Sequence, residues 1–127
     1  MFFQPVFLNS AQAAVWGHSK IVADTDDELD CIPQKVRTVL KRVADQFGRV
    51  EIKSGLRPPK ENKKRGGAKG SAHIECRAVD FVYSGRESKS KQKQMASFLK
   101  KMGVRYNVYC SGRTHIDDTN RPNNYDT

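Results

Sequence analysis

A chain of 127 residues holds one domain with a single modest core, and 23 Lys and Arg against 14 Asp and Glu leave it with a net charge of +9 and a pI near 9.7. That charge draws polyanions from a distance, whether nucleic acid, an anionic membrane surface or an anionic wall polymer, and does not choose among them. No apolar run approaches the roughly 20 residues of a membrane span, so no spanning helix is expected.

Residues 2–14 are fairly apolar and end in Ala11-Gln12-Ala13-Ala14, which has the small residues of a leader-cleavage site. A charged start and a continuous hydrophobic segment are both missing. The segment reads as a shortened leader or, for residues 1–20 together, as a flexible or edge-packing arm. Acids at Asp24, Asp26, Asp27, Glu28 and Asp30 then precede Ile32, Val36, Val39, Leu40, Val43 and Phe47, which recur at helical spacing and stop at Gly48. This pattern predicts an amphipathic helix, with Pro33 near its start, where a missing N–H does little harm.

Residues 49–53 alternate as a strand, and a Gly-, Pro- and Lys-rich loop runs on to Ser71. Residues 74–83 form a second predicted strand. Residues 88–102 read as a helix with Met95, Phe98, Leu99 and Met102 on one face and lysines on the other, closed by Gly103. The lysine runs are expected to be solvated faces. Residues 104–110 and 114–117 predict a hairpin around Ser111-Gly112-Arg113, and residues 118–127 a loosely held polar tail. The order implies one small α+β domain over residues 1–127, an antiparallel sheet with helices packed on it.

Three cysteines, Cys31, Cys76 and Cys110, form no C-x-x-C pair, and an odd number cannot pair fully within the chain. In an exported protein they would give one disulfide and one free thiol, with Cys76 and Cys110, on candidate strands, as the expected pair. In a reducing compartment they would be three small apolar residues.

The chemistry concentrates in Ser71-Ala72-His73-Ile74-Glu75-Cys76-Arg77-Ala78-Val79-Asp80 and in Thr114-His115-Ile116-Asp117. Zinc accepts imidazole nitrogen and carboxylate oxygen, and a hydrolytic site needs three protein ligands so that water can take the fourth position. His73, Asp80 and His115 are the candidate set, for one zinc per chain. Seven residues on a helix would separate His73 and Asp80 by roughly 10 Å, so a loop residue followed by a strand residue is the expected arrangement. Asp117, two residues beyond His115, is a candidate general base or, alternatively, an acceptor that orients the histidine. Asp118, Glu75 and His18 are weaker candidates for proton transfer.

Upstream stand Ser54-Gly55-Leu56-Arg57, then Asn62, then Gly66-Gly67-Ala68-Lys69-Gly70-Ser71. In this order the motifs resemble the D-Ala-D-Ala carboxypeptidase-like zinc peptidases, whose pattern is S-G-[YF]-R, an N with a G-G-A loop, S-x-H-x-x-G-x-A-x-D, and a final H-x-D or E-x-x-H. The resemblance spans residues 54–117. It implies the Hedgehog/DD-peptidase fold, zinc-dependent cleavage of peptidoglycan stem peptides or cross-links, and a periplasmic or secreted setting, a phage lysin included. It also implies that Arg57 grips a substrate carboxylate or carbonyl and that Ser71 holds the loop or touches substrate. Two departures stand out. Cys76 replaces the usual Gly, and Gly112 stands where some members carry an acidic base; Tyr109, Gly112, His115 and Asp117 instead keep the spacing of a Tyr-x-x-Gly-x-x-His-x-Asp subgroup.

Two other classes compete. A zinc-retaining wall-binding module would keep the ligands without a base. A nucleic-acid-binding protein would need exposed aromatic platforms beside its basic residues, whereas Tyr106 and Tyr109 fall in an alternating strand, so no specific nucleic-acid partner is expected. The enzyme is expected to act as a monomer.

Overall fold

The computed structural model describes residues 14–56, 64 and 72–125. In chain order these form β1 (Ala14–Val15), β2 (His18–Ala23), α1 (Gln34–Phe47), β3 (Val50–Ser54), β4 (Ala78–Tyr83), α2 (Lys89–Met102), β5 (Arg105–Val108), β6 (Thr114–Asp117) and β7 (Asn124–Tyr125). All seven strands join one sheet in the order β1-β2-β3-β4-β6-β5-β7. Its centre, β3-β4-β6-β5, is antiparallel as the sequence predicts. The flanks add two parallel pairings, β2 with β3 and β5 with β7, which make the sheet mixed.

The helices follow from their apolar spacing. Val36, Val39, Leu40, Val43 and Ala44 form the buried stripe of α1. Its start differs from expectation: Pro33 occupies the N-cap and no side chain caps the helix. The preceding acids serve the loop instead, with Glu28 Oε1 accepting from the N–H groups of Leu29 and Asp30. Ser88 does cap α2, its Oγ accepting from Lys91 N–H, and Met95, Ala96 and Leu99 are buried up to the stop at Gly103.

Both helices pack on the face of the sheet that carries Ile52, Val79, Phe81, Tyr83 and Ile116, all essentially excluded from water. Each such apolar side chain contributes about 1.5–3 kcal/mol by its burial. Because strand residues alternate faces, Asp80 projects away from the helices. That leaves the opposite face of β4 and β6 for chemistry.

From Ala14 onward the arm packs at the sheet edge, where β1 pairs with β2; residues 1–13 lie outside the described residues. Three features differ from the sequence reading. Residues 72–76 form a turn, and the strand expected over 74–83 begins only at Ala78. The tail is tied down as well. Arg105 Nε donates to Pro122 O, Tyr106 N–H to Asn123 Oδ1, and β7 pairs with β5.

The third difference is the disulfide. Cys76 pairs with Cys31, not Cys110. Sheet register explains why: Ala78 lies opposite Asp117 and Phe81 opposite Thr114, so the hairpin turn with Cys110 projects beyond one end of β4 while Cys76 precedes the other. Cys110 is exposed with a free thiol. Closing 45 residues of chain, the Cys31–Cys76 bond is worth about 4 kcal/mol in the chain-entropy account.

Candidate metal centre

Asp80 and His115 are directly opposed partners on β4 and β6. A register pair of this kind puts both side chains on one face, a few ångströms apart. His73 arrives from the turn before β4, and ligand atoms of all three residues lie within 4.8 Å of one another. Asp80 Oδ1 sits 3.1 Å from His73 Nε2 and 2.8 Å from His115 Nδ1. The two imidazole rings meet edge to face at 5.1 Å. Two ligands on one tetrahedral zinc lie about 3.4 Å apart, roughly 0.3 and 0.6 Å beyond these separations, so a small outward shift of the donors would admit the ion.

The far nitrogens of the two rings decide how the rings are used. His73 Nδ1 faces the Gly55 carbonyl at 2.9 Å, and His115 Nε2 faces Asp117 Oδ2 at 2.6 Å. Both partners only accept, as does Asp80, so without a metal the rings share their hydrogens between acceptors on both sides. A cation at Asp80 would displace hydrogen from the near nitrogens and leave it on the far ones, where the backing acceptors are those that fix ligating histidines. The His73, Asp80 and His115 donor set thus suits one zinc.

Without a metal, the histidines hold the carboxylate in place. Burial by itself would raise the Asp80 pKa, but hydrogen bonds and charge from His115 and His73 outweigh it and hold the carboxyl well below the usual carboxylate range. Burial likewise opposes protonation of His115, yet its bonds to Asp117 and Asp80 raise its pKa above the ordinary histidine value. Arg113 Nη2 approaches Asp80 Oδ2 at 3.4 Å from the hairpin.

Asp117 is fully buried behind His115. Its Oδ2 accepts from His115 Nε2 and from Arg105 Nη1 at 3.0 Å, while its Oδ1 accepts from Thr119 N–H at 2.9 Å and Thr119 Oγ1 at 2.6 Å. Against the upward push of burial, the bonds from His115 and Thr119 keep it ionised far into acid. These contacts favour the orienting role over the base. Arg105 and Thr119 went unnoticed in the sequence; the signal for Arg105 was its register opposite Asp117 in the hairpin.

Position 112 cannot carry an acid. Gly112 has φ +89°, and a β-carbon there would come within 2.3 Å of the Arg86 carbonyl oxygen. Glu75 and Asp118 both pair with Arg77, Glu75 from an exposed position. His18 is bonded to Asp45 of α1 at 2.8 Å. Arg57 and Ser71 lie outside the described residues. Tyr109, expected on a strand, lies beyond β5 in the hairpin turn and is exposed, whereas Tyr106 is buried in the core.

A family model for Peptidase M15 matches residues 5–117. The chain belongs to the peptidase M15 family. No curated protein matches it significantly. Membership supports a zinc metallopeptidase, and the matched span reaches well N-terminal of the motifs that carry the sequence resemblance. Among the described residues no helix is long and apolar enough to cross a membrane.

Proposed function

We propose that this M15 protein hydrolyses peptide bonds in peptidoglycan stem peptides or cross-links, in a periplasmic or secreted setting. One observation carries the reading: two histidines whose far nitrogens are held by acceptors present their near nitrogens to a shared aspartate. The Cys31–Cys76 disulfide supports the oxidising compartment.

Zinc in such a site supplies Lewis acidity, acidifying a water and polarising a carbonyl. The chain's own residues do the rest. Asp117 keeps the His115 proton on Nε2 so that Nδ1 stays a donor of electrons, and Gly55 O does the same for His73. Arg57 anchors the peptide by its planar fork, as family likeness implies. With Asp117 occupied on the far side of His115, proton transfer is assigned to Glu75 or Asp118, the acids near His73 and His115 in sequence, both paired with Arg77.

Digestion of purified peptidoglycan by the zinc-loaded protein, with products identified by mass, tests the reading. Released D-Ala indicates a carboxypeptidase, and separated cross-links an endopeptidase. Glu75→Gln and Asp118→Asn assign the base by which one loses turnover while keeping zinc. Retention on peptidoglycan with no product would overturn hydrolysis in favour of a wall-binding module, the reading that the lack of room for an acid at Gly112 favours next.

A further inference from the structure

Cys76 is one of two non-glycine residues with positive φ among the described residues, at +56°. A β-carbon makes this left-handed region unfavourable, and the family pattern has glycine at this point. The residue ends a tight turn. Ala72 O accepts from Glu75 N–H at 3.2 Å and Arg77 N–H at 2.9 Å, and His73 O accepts from Cys76 N–H at 3.2 Å. His73 therefore projects from a turn whose last residue holds an unfavourable backbone conformation.

The other half of the disulfide lies in a segment that also supports His73. Gly55, whose carbonyl accepts from His73 Nδ1, is itself held by Asp27 Oδ2 at 3.0 Å, and Leu56 N–H donates to Glu28 O at 2.9 Å. The approach is so close that a β-carbon on Gly55 would meet Leu29 Cδ2 at 2.4 Å and Glu28 O at 2.7 Å. Cys31 follows three residues after Glu28. A ring closes around His73: imidazole to Gly55, Gly55 to the 27–29 segment, that segment through Cys31 to Cys76, and Cys76 back along the turn. Every link is a covalent or hydrogen bond.

We propose that the Cys31–Cys76 disulfide is a positioning element of the metal centre, holding the His73 turn in a left-handed conformation that glycine adopts without penalty. The inference rests on the zinc reading above. A consequence is that zinc affinity is coupled to the oxidation state of this pair, and so to an oxidising compartment.

The test measures zinc dissociation constants by competition with a chromophoric chelator, and cobalt(II) spectra, in a Cys110→Ser background that removes the exposed thiol. Measurements are made far below the melting temperature of each variant. Oxidised Cys110→Ser protein should bind one zinc. Cys31→Ser/Cys76→Ser should bind at least about tenfold more weakly, the scale of losing an outer-shell support. Cys31→Ser/Cys76→Gly should return to within about threefold of the oxidised protein, with its cobalt spectrum, while its melting temperature stays lowered. A purely structural disulfide would lower the melting temperature of both variants and leave zinc affinity alone.

Equal affinity in the serine double variant and the oxidised protein overturns the proposal, as does a glycine variant as weak as the serine one. If the serine variant does not fold, a folded glycine variant that binds tenfold more weakly overturns the clamp, and otherwise the Cys110→Ser protein with its disulfide reduced in place decides: zinc binding about tenfold weaker on reduction supports the clamp, and unchanged binding overturns it. Absence of zinc binding in the oxidised protein overturns the metal reading and the clamp together; zinc binding there with no dependence on the cysteines overturns the clamp alone.

Discussion

Asp80 and His115 stand on two paired strands in the middle of the sheet, while His73 stands in a turn bounded by a disulfide. The strand candidates need no special device, because register places opposed residues on one face and the core beneath fixes the strands. The turn candidate, His73, has no ladder to hold it, and the chain surrounds it with supports: the Gly55 carbonyl, the Cys31–Cys76 bond, and Arg77 reaching Asp118 Oδ1 at 2.6 Å. The candidate site is thus built in part from sheet geometry and in part from staples.

Removing a ligand from either side should have the largest effect. His73→Ala and His115→Ala each leave two donors, and zinc affinity should fall by more than about 100-fold, beyond the loss typical of an outer partner. The two should differ in what remains. His115→Ala also strips buried Asp117 of its histidine donor, so its zinc-free form should melt lower than that of His73→Ala. Full zinc occupancy in either variant, read by atomic absorption after dialysis, would remove that residue from the ligand set.

Disturbing the strand side from a distance comes next. Gly112→Ala puts a β-carbon into the Arg86 backbone at an unfavourable φ, and should cost about 3 kcal/mol in urea unfolding. The hairpin that carries His115 should shift with it, weakening zinc binding. A variant of unchanged stability would mean that the hairpin adjusts freely and that the strand side is no more rigid than the turn.

Asp117→Asn gives a smaller loss and separates two roles. As the holder of the His115 proton, Asp117 should cost about 10–100-fold in zinc affinity when replaced by an amide that can present its own N–H to Nε2. As a general base it would leave zinc affinity untouched and reduce turnover alone. Chelator competition on the variant distinguishes the two, and unchanged affinity would return Asp117 to the base.

The sequence made the strand side legible and the turn side only partly so. Apolar spacing marked both helices, and Gly48 and Gly103 marked their ends, because those signals are local. Hairpin residues around Gly112 fixed the direction of β6, and with it the shared face of His115 and Asp117. What surrounds His73 depends on pairings across 18 and 45 positions, His73 with Gly55 and Cys31 with Cys76, and neither spacing carries a periodic signal. The Cys76–Cys110 pairing failed for that reason: both residues adjoin strands near the site, but only register reveals that they sit at opposite ends. Asp117 was legible as a candidate for two roles, and its contacts with Arg105 and Thr119, which bear on the choice, carry no local signal. The parallel pairing of β2 with β3 was equally hidden, because it joins two segments across the whole of α1.

The smallest effect is a dependence on pH that belongs to the strand side. In the zinc-free protein, burial disfavours charged His115, but Asp117 and Asp80 overcome this and raise its pKa above the ordinary 6.5. A raised folded pKa stabilises the fold fully below the unfolded value and loses that contribution as pH climbs through the folded one. The two aspartates act in the opposite sense and in another window. Their folded values are lowered, so their contribution is present above about pH 4 and is lost only as pH falls toward those values. Between pH 6 and 8 only His115 of the three should register, and the zinc-free protein should melt at steadily lower temperature across that range. Zinc should reverse the slope, because the metal competes with the proton for Nδ1 and binds more tightly as pH rises. Melting curves with zinc and with chelator, at half-unit steps, read both slopes. A zinc-free melting temperature that rises from pH 6 to 8 would mean that His115 is not held charged between its two aspartates, and that the strand side is ordered by packing alone.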